Sequence, residues 1–301
     1  MLPRPGLPRF DYVRAQDRDQ VVRLLQEQGD AVRLMMGGTD LLVRMRDGAL
    51  LPKTVLDVKH LPGMREIRFD PEKGLSLGAA ASMNQVARHP DVRARYALLA
   101  EAAESVASYQ VRNRATLGGN LCNASPAADT APAALVLEGR IVLYGPLGER
   151  EVPAHQFFVG PGRSARRPDE FVTEVRIAPL PDKAAGRYLK LGRNRAGDLA
   201  VVGVAVFGFP DSSAASGYRF RIALASVAPV PLRAQSAEAL LAKQRPDDAA
   251  FALAADRAVE AAVPIDDVRA GAAYRRSMVR NLTLRGLEQV WAELNARAER
   301  S

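Results

Sequence analysis

Apolar residues at positions 21, 22, 24 and 25, an aspartate at 17 and a glycine at 29 predict a short amphipathic helix near the start of the chain. The short apolar run 31–36 that follows reads as a buried strand, and 41–46 continues toward a break at Gly48. Further strands are expected at 54–58 and 75–79. Ser82 and Gln85 have the spacing of a capping box, opening a helical stretch that is interrupted at Pro90 and resumes to about Val106. Strands at 139–144 and 171–177 come next, and the proline-rich 178–182 reads as a linker at a domain boundary. Beyond it the pattern gives strands at 188–191, 199–209 and 218–227, then alanine-rich helices from Ser236 onward. Tyr274, Met278, Leu282 and Leu287 place the last run in one long helix, with a break expected near Gly286. No tandem repeat is visible.

Composition narrows the class. At 301 residues and 48% hydrophobic content the chain has room for two or three domains around ordinary cores. No stretch approaches the roughly 18 to 20 apolar residues of a membrane span, and the opening 1–5 lacks a secretory apolar region, so the expected location is cytoplasmic. The one cysteine, Cys122, excludes an intrachain disulfide and any iron-sulfur cluster held by this chain alone. His60, His89 and His155 are scattered without metal-ligand spacing. The formal charge of +8 comes mostly from arginines interleaved with acids; Arg166-Arg167 and Arg275-Arg276 are the longest runs. That pattern describes a solvated surface rather than a nucleic-acid site, although steering toward an acidic partner subunit stays open.

The candidate chemistry lies in two glycine pairs. Met36-Gly37-Gly38-Thr39-Asp40 follows the first buried strand, and the segment 116–129 carries Gly118-Gly119 with Thr116, Asn120, Asn123, Ser125 and Asp129. Glycine tolerates positive φ and lets consecutive backbone N–H groups converge on an anion, so two such loops are suited to one diphosphate. The surrounding hydroxyls and amides suit ribityl or ribose oxygens, and a carboxylate accepts from a sugar hydroxyl or a flavin ring N–H. Gly160-Pro161-Gly162-Arg163-Ser164-Ala165 fits the dinucleotide pattern on paper, but a strand rather than a helix follows it, so it reads as a false match in a loop near the ligand. Lys190 sits where a strand turns into a charged loop, and a solvated lysine is the plain reading there. No phosphate-binding P-loop, Ser-His-Asp order or paired catalytic carboxylates occur, and Cys122 reads as a packed small residue.

Four segments, 36–42, 110–129, 188–198 and 274–279, resemble the FAD-binding medium subunit of molybdenum hydroxylases, in order and spacing over essentially the whole chain. The resemblance implies an α+β fold: a two-subdomain FAD-binding domain of the molybdopterin dehydrogenase and vanillyl-alcohol-oxidase type (1–178, divided at about 60), followed by a C-terminal domain of sheet and helices (185–298). It implies that Met35, Met36, Gly37, Gly38, Thr39, Asp40 and Leu41, with Thr116, Gly118, Gly119 and Asn120, hold the diphosphate and adenosine side. Asn123, Ser125 and Asp129 would lie nearer the ribityl chain and flavin, Lys190 would approach the isoalloxazine, and Arg193, Arg195 and Asp198 would border the electron acceptor. The family's iron-sulfur clusters and molybdopterin-bound molybdenum sit on small and large partner subunits, commonly in a doubled three-subunit assembly. The similar subunit of 4-hydroxybenzoyl-CoA reductase inserts a cysteine-bearing segment after the second glycine pair, which is missing here. Related oxidases attach flavin through His or Cys, but Gly38 is followed by Thr39-Asp40, so non-covalent FAD is expected. An electron-transfer subunit is therefore the leading expectation, with substrate and acceptor undetermined. A standalone non-covalent flavin oxidase and a non-redox binder of a phosphorylated ligand are the alternatives.

Overall fold

The structure is a computed structural model that describes residues 6–194 and 197–299. Its first unit comprises β1 (Asp11–Arg14), α1 (Arg18–Gln28), β2 (Val32–Met35), α2 (Leu41–Arg46) and β3 (Thr54–Asp57). The three strands form a parallel sheet in the order β1-β3-β2. Local chemistry sets α1: the Asp17 side chain accepts from the Gln20 N–H at the start, and Gly29 ends the helix at φ 51°. Val21, Val22 and Leu25 are its buried face.

The second unit contains β4 (Ile67–Asp70), β5 (Gly74–Gly78), α3 (Met83–Arg88), α4 (Pro90–Arg95), α5 (Ala97–Glu104), α6 (Tyr109–Arg112), α7 (Leu117–Asn123) and α8 (Thr130–Val136). It continues through β6 (Arg140–Gly145), β7 (Gly148–Pro153), α9 (Ala154–Phe157), β8 (Phe158–Gly160), β9 (Arg163–Ser164) and β10 (Phe171–Ile177). Five of these strands make an antiparallel sheet, β4-β5-β10-β6-β7. The Ser82–Gln85 capping box forms in both directions at the start of α3, and Pro90 sits at the start of α4, where its missing N–H costs nothing. Within the segment 116–129, expected as a loop, Leu117–Asn123 form a helix, α7. Thr116 caps it by accepting from the Gly119 N–H, and the preceding backbone is fixed by Leu117 N–H donating to Ala81 O at 3.1 Å. The paper dinucleotide match at 160–165 is a hairpin of β8 and β9, with Gly162 at φ +68° in the turn.

The third unit runs through β11 (Ala185–Leu191), β12 (Val202–Pro210), β13 (Tyr218–Ala225), β14 (Leu232–Arg233), α10 (Gln235–Leu241), α11 (Asp248–Glu260) and α12 (Ala272–Glu299). Its antiparallel sheet, β11-β12-β13-β14, is buried on both faces, and the strand alternation separates them. Val202, Val204 and Val206 join the core under α11 and α12, whereas Ala205, Phe207 and Phe209 join the core shared with the first two units. On β11 the residue facing the shared core is Tyr188, and Lys190, two positions on, lies on the same side of the strand. The expected break at Gly286 does not occur. Helix α12 runs unbroken, and this glycine lets it press against the sheet: a Cβ there would come 2.8 Å from Val206 Cγ2.

The Tyr274–Val279 stretch acquires a structural meaning at Arg275. The residue is 1% exposed, and its guanidinium donates to the carbonyls of Val201 and Ser226, each at 2.8 Å, and to Asp267 Oδ1 at 2.7 Å. Ser226 in turn donates its N–H to Pro126 O at 2.7 Å. The long helix is thereby tied through the sheet to the segment that follows α7. No helix among the described residues is long and apolar enough to cross a membrane.

Candidate functional site

The parallel sheet delivers the first glycine segment at the carboxyl end of β2, where open parallel sheets present ligand crevices. Gly37 lies directly against the second segment: a Cβ there would meet Arg114 O at 2.2 Å. Gly38 adopts φ +77°, a conformation that only glycine takes without strain. The N–H groups of Gly37, Gly38, Thr39 and Asp40 donate to no described residue. Asn123 Nδ2 reaches across to Asp40 Oδ1 at 3.2 Å, linking the two segments side by side.

A cleft of about 790 Å³ opens between them, within the size range of small-molecule and cofactor sites. Met35, Met36, Gly37, Gly38, Thr39, Asp40 and Leu41 line one wall; Thr116, Gly119, Asn120, Asn123, Ser125 and Asp129 line the other. Several of the polar side chains are braced. Asn120 Oδ1 accepts from Thr130 Oγ1 at 2.6 Å, which leaves the Asn120 amide N–H₂ for a ligand, and Ser125 Oγ accepts from Ala127 N–H at 3.2 Å. Gly118 is the member of the set that turns away: its N–H donates to Ala79 O at 2.8 Å, and a Cβ would sit 2.6 Å from Ala79 Cβ. Its place in the motif is explained by packing beneath α7.

Asp198 lines the mouth of the cleft together with Leu199. Its carboxyl is held below the ordinary value, first by the hydrogen bond from Arg193, whose side chain reaches it at 3.2 Å. Arg195, the third residue expected on this loop, lies outside the described residues. Cys122 also lines the cleft, and burial pushes its thiol up to about 11, so it is protonated at neutral pH and a poor nucleophile.

Lys190 is not the solvated lysine of the plain reading. Its side chain is 14% exposed, and Nζ donates to Asp129 Oδ2 at 2.8 Å and to Ser105 O at 2.9 Å. It stands behind Asp129 rather than on the cleft wall. Burial pushes the Asp129 carboxyl above its ordinary value, against the pull of the Lys190 ammonium and the Tyr188 hydroxyl. The neighbouring turn is clamped as well: Arg112 Nη1 donates to the carbonyls of Val106 and Ala107, both at 3.0 Å, and Ala107 takes a left-handed φ of 45° on the cleft wall. Arg112, Ala107 and Tyr188 carried no sequence signal of this role: the Arg112 clamp depends on the turn the backbone takes at 106–107, and Tyr188 meets Asp129 only through tertiary packing.

Four free backbone donors at a strand end, two glycine segments in backbone contact and a wall of amide and hydroxyl groups fit a dinucleotide with one diphosphate. Among the described residues no group of His, Cys, Asp or Glu side chains is arranged to hold a metal ion.

The description "FAD binding domain in molybdopterin dehydrogenase" matches residues 8–181, and "CO dehydrogenase flavoprotein C-terminal domain" matches residues 187–290. The chain is 34% identical to the carbon monoxide dehydrogenase medium chain of Hydrogenophaga pseudoflava, over 95% of this chain and 98% of that one. It is 30% identical to the xanthine dehydrogenase FAD-binding subunit of Escherichia coli O157:H7, over 75% of this chain and 77% of that one. Among solved structures, carbon monoxide dehydrogenase from Hydrogenophaga pseudoflava, in a form lacking the Mo-pyranopterin moiety of its cofactor, superposes with a TM-score of 0.91. That superposition covers 97% of this chain and 99% of the other at 34% identity.

Proposed function

The chain belongs to the FAD-binding medium subunits of molybdenum hydroxylases, and from that premise we propose that it is the electron-transfer subunit of such a complex. It would hold one non-covalent FAD between a small subunit bearing iron-sulfur clusters, a large subunit bearing molybdopterin, and an external acceptor. The observation that carries this reading is the cleft itself, lined by residues 37–40, whose four N–H groups have no partner among the described residues, and by Gly119 and Asn120. When bound, FAD supplies the redox chemistry. This chain's own residues bind and orient it: 37–40 take the diphosphate, Asn120, Asn123 and Ser125 the sugar and ribityl oxygens, and Asp129 a ring or hydroxyl donor. Lys190 keeps a positive charge next to Asp129 and so sets the field at that end of the cleft. Substrate oxidation would take place on the large subunit.

Acid precipitation of the purified protein tests the reading. The yellow colour should pass entirely into the supernatant, because no histidine is among the described residues that line the cleft and its Cys122 thiol stays protonated. Flavin retained in the pellet, or a colourless protein that takes up no FAD, counts against it. A second arm separates this subunit from a standalone oxidase: alone it should show no substrate turnover, and turnover should require the two partner subunits.

A further inference from the structure

The Asp129 carboxylate has one oxygen on Lys190 and the other on the Tyr188 hydroxyl, each at 2.8 Å. Tyr188 comes from the C-terminal sheet, does not line the cleft, and is 8% exposed. The hydroxyl reaches the carboxylate because the strand beside it lacks a side chain: Gly203, in register with Lys190, would place a Cβ 2.5 Å from the Tyr188 oxygen. The next contacts of that Cβ are ordinary, at 3.4 Å to Ala225 Cβ and to Tyr188 Cζ. The glycine thus makes room for one atom, the hydroxyl.

We propose that Tyr188 and Gly203 are positioning residues for the cofactor cleft: the hydroxyl, lodged over Gly203, holds Asp129 ionised and oriented as an acceptor for an N–H or O–H group of the bound dinucleotide. A carboxylate has about four acceptor positions and two are filled from behind, which leaves capacity toward the cleft that Asp129 lines. Without the hydroxyl, a carboxylate already disfavoured by burial loses one of two groups that favour its charge. The charged group in contact with it is Lys190; the Tyr188 N–H donates to Glu101, which pairs with Arg187, and Asp40, Arg44, Arg166 and Asp198 are among the charged residues that line the same cleft. The C-terminal sheet then contributes to FAD binding without forming the cleft wall. This inference rests on the FAD reading above.

The test is FAD titration of the full-length apoprotein across pH, followed by flavin fluorescence. Tyr188→Phe should bind FAD about tenfold more weakly at neutral pH, the size of one charge-assisted hydrogen bond. Its affinity should also begin to fall at a higher pH than wild type, since Asp129 takes up its proton sooner as pH drops. Gly203→Ala should reproduce both effects, because the new methyl strikes the hydroxyl. Added to Tyr188→Phe it should cause little further loss, because the atom it would strike is gone. Unchanged affinity and pH profile in Tyr188→Phe overturn the inference, as do additive losses in the double variant. If wild-type apoprotein takes up no FAD, the proposed function itself falls, an outcome distinct from either.

Discussion

A Gly37→Ala chain should purify with less than about a tenth of the wild-type flavin, because overpacking of about 1–3 kcal/mol at a binding wall is a tenfold or larger loss of affinity. The methyl group would meet Arg114 O at 2.2 Å, and the obstacle is backbone, which has no rotamer to give way. Relief requires the first segment to move off the second. That separation would misplace the free N–H groups at 37–40 and pull Asn123 away from Asp40. Absorbance of the desalted protein at the flavin and protein bands measures the ratio, and circular dichroism establishes that the fold survives. A variant with full flavin content would show that the two segments tolerate separation and that the cleft does not depend on their contact. The same logic ranks Gly119→Val lower in severity, since its Cβ would meet the Thr116 hydroxyl at 2.8 Å, a side-chain atom rather than backbone, although turning it away would cost α7 its cap.

Arg275→Met should cost about 2–4 kcal/mol of unfolding free energy, chiefly because it leaves two buried carbonyls without their donor at about 1–3 kcal/mol each. The loss leaves the carbonyls of Val201 and Ser226 without their donor and Asp267 held by Arg269 and the Ala270 N–H. Thermal or denaturant unfolding measures it, and a change below about 1 kcal/mol, the level of an exposed pair, would contradict the anchoring role. The pH dependence has a definite sign. The bond from Arg269 foremost, with Arg275 adding to it, holds the Asp267 carboxyl well below the ordinary carboxylate value of 3.8. Its contribution is fully present above that value and fades as pH falls toward the lower folded one. In acid the wild type should therefore lose part of its advantage over Arg275→Met. Because Ser226 also holds Pro126, weaker FAD retention should accompany the loss of stability.

Membership in the FAD-binding medium subunits was legible from four short segments, and the elements set by local chemistry were legible as well. The first helix carries its own cap and stop in Asp17 and Gly29, and the Ser82–Gln85 box is complete within four residues. Strands buried on both faces, such as β12, announce themselves as apolar runs. The short strands β1 and β4 and the polar edge strand β7 went unread, because four mixed residues or a Glu-Arg-Glu run carry little apolar signal and are strands only because a neighbour pairs with them. The second glycine pair read as a loop because glycine disfavours helices in isolation, whereas Thr116 and the backbone at Ala79–Ala81 hold that turn in helical form.

Residue type and spacing by themselves determined that this chain carries two anion-suited glycine segments, one unpaired cysteine and a lysine at a strand end. Only the tertiary structure decided what each does. Gly37 is required by the Arg114 carbonyl, Gly118 by Ala79, Gly203 by the Tyr188 hydroxyl and Gly286 by Val206, all partners distant in sequence. Lys190 is an ion-pair partner rather than a solvated side chain because β11 of the C-terminal sheet packs it against Asp129 at the start of α8. Backbone caps and periodicity act over a few residues and leave their mark in the sequence; close approach and ion pairing act across the fold, where a pattern along the chain holds no record of the neighbour.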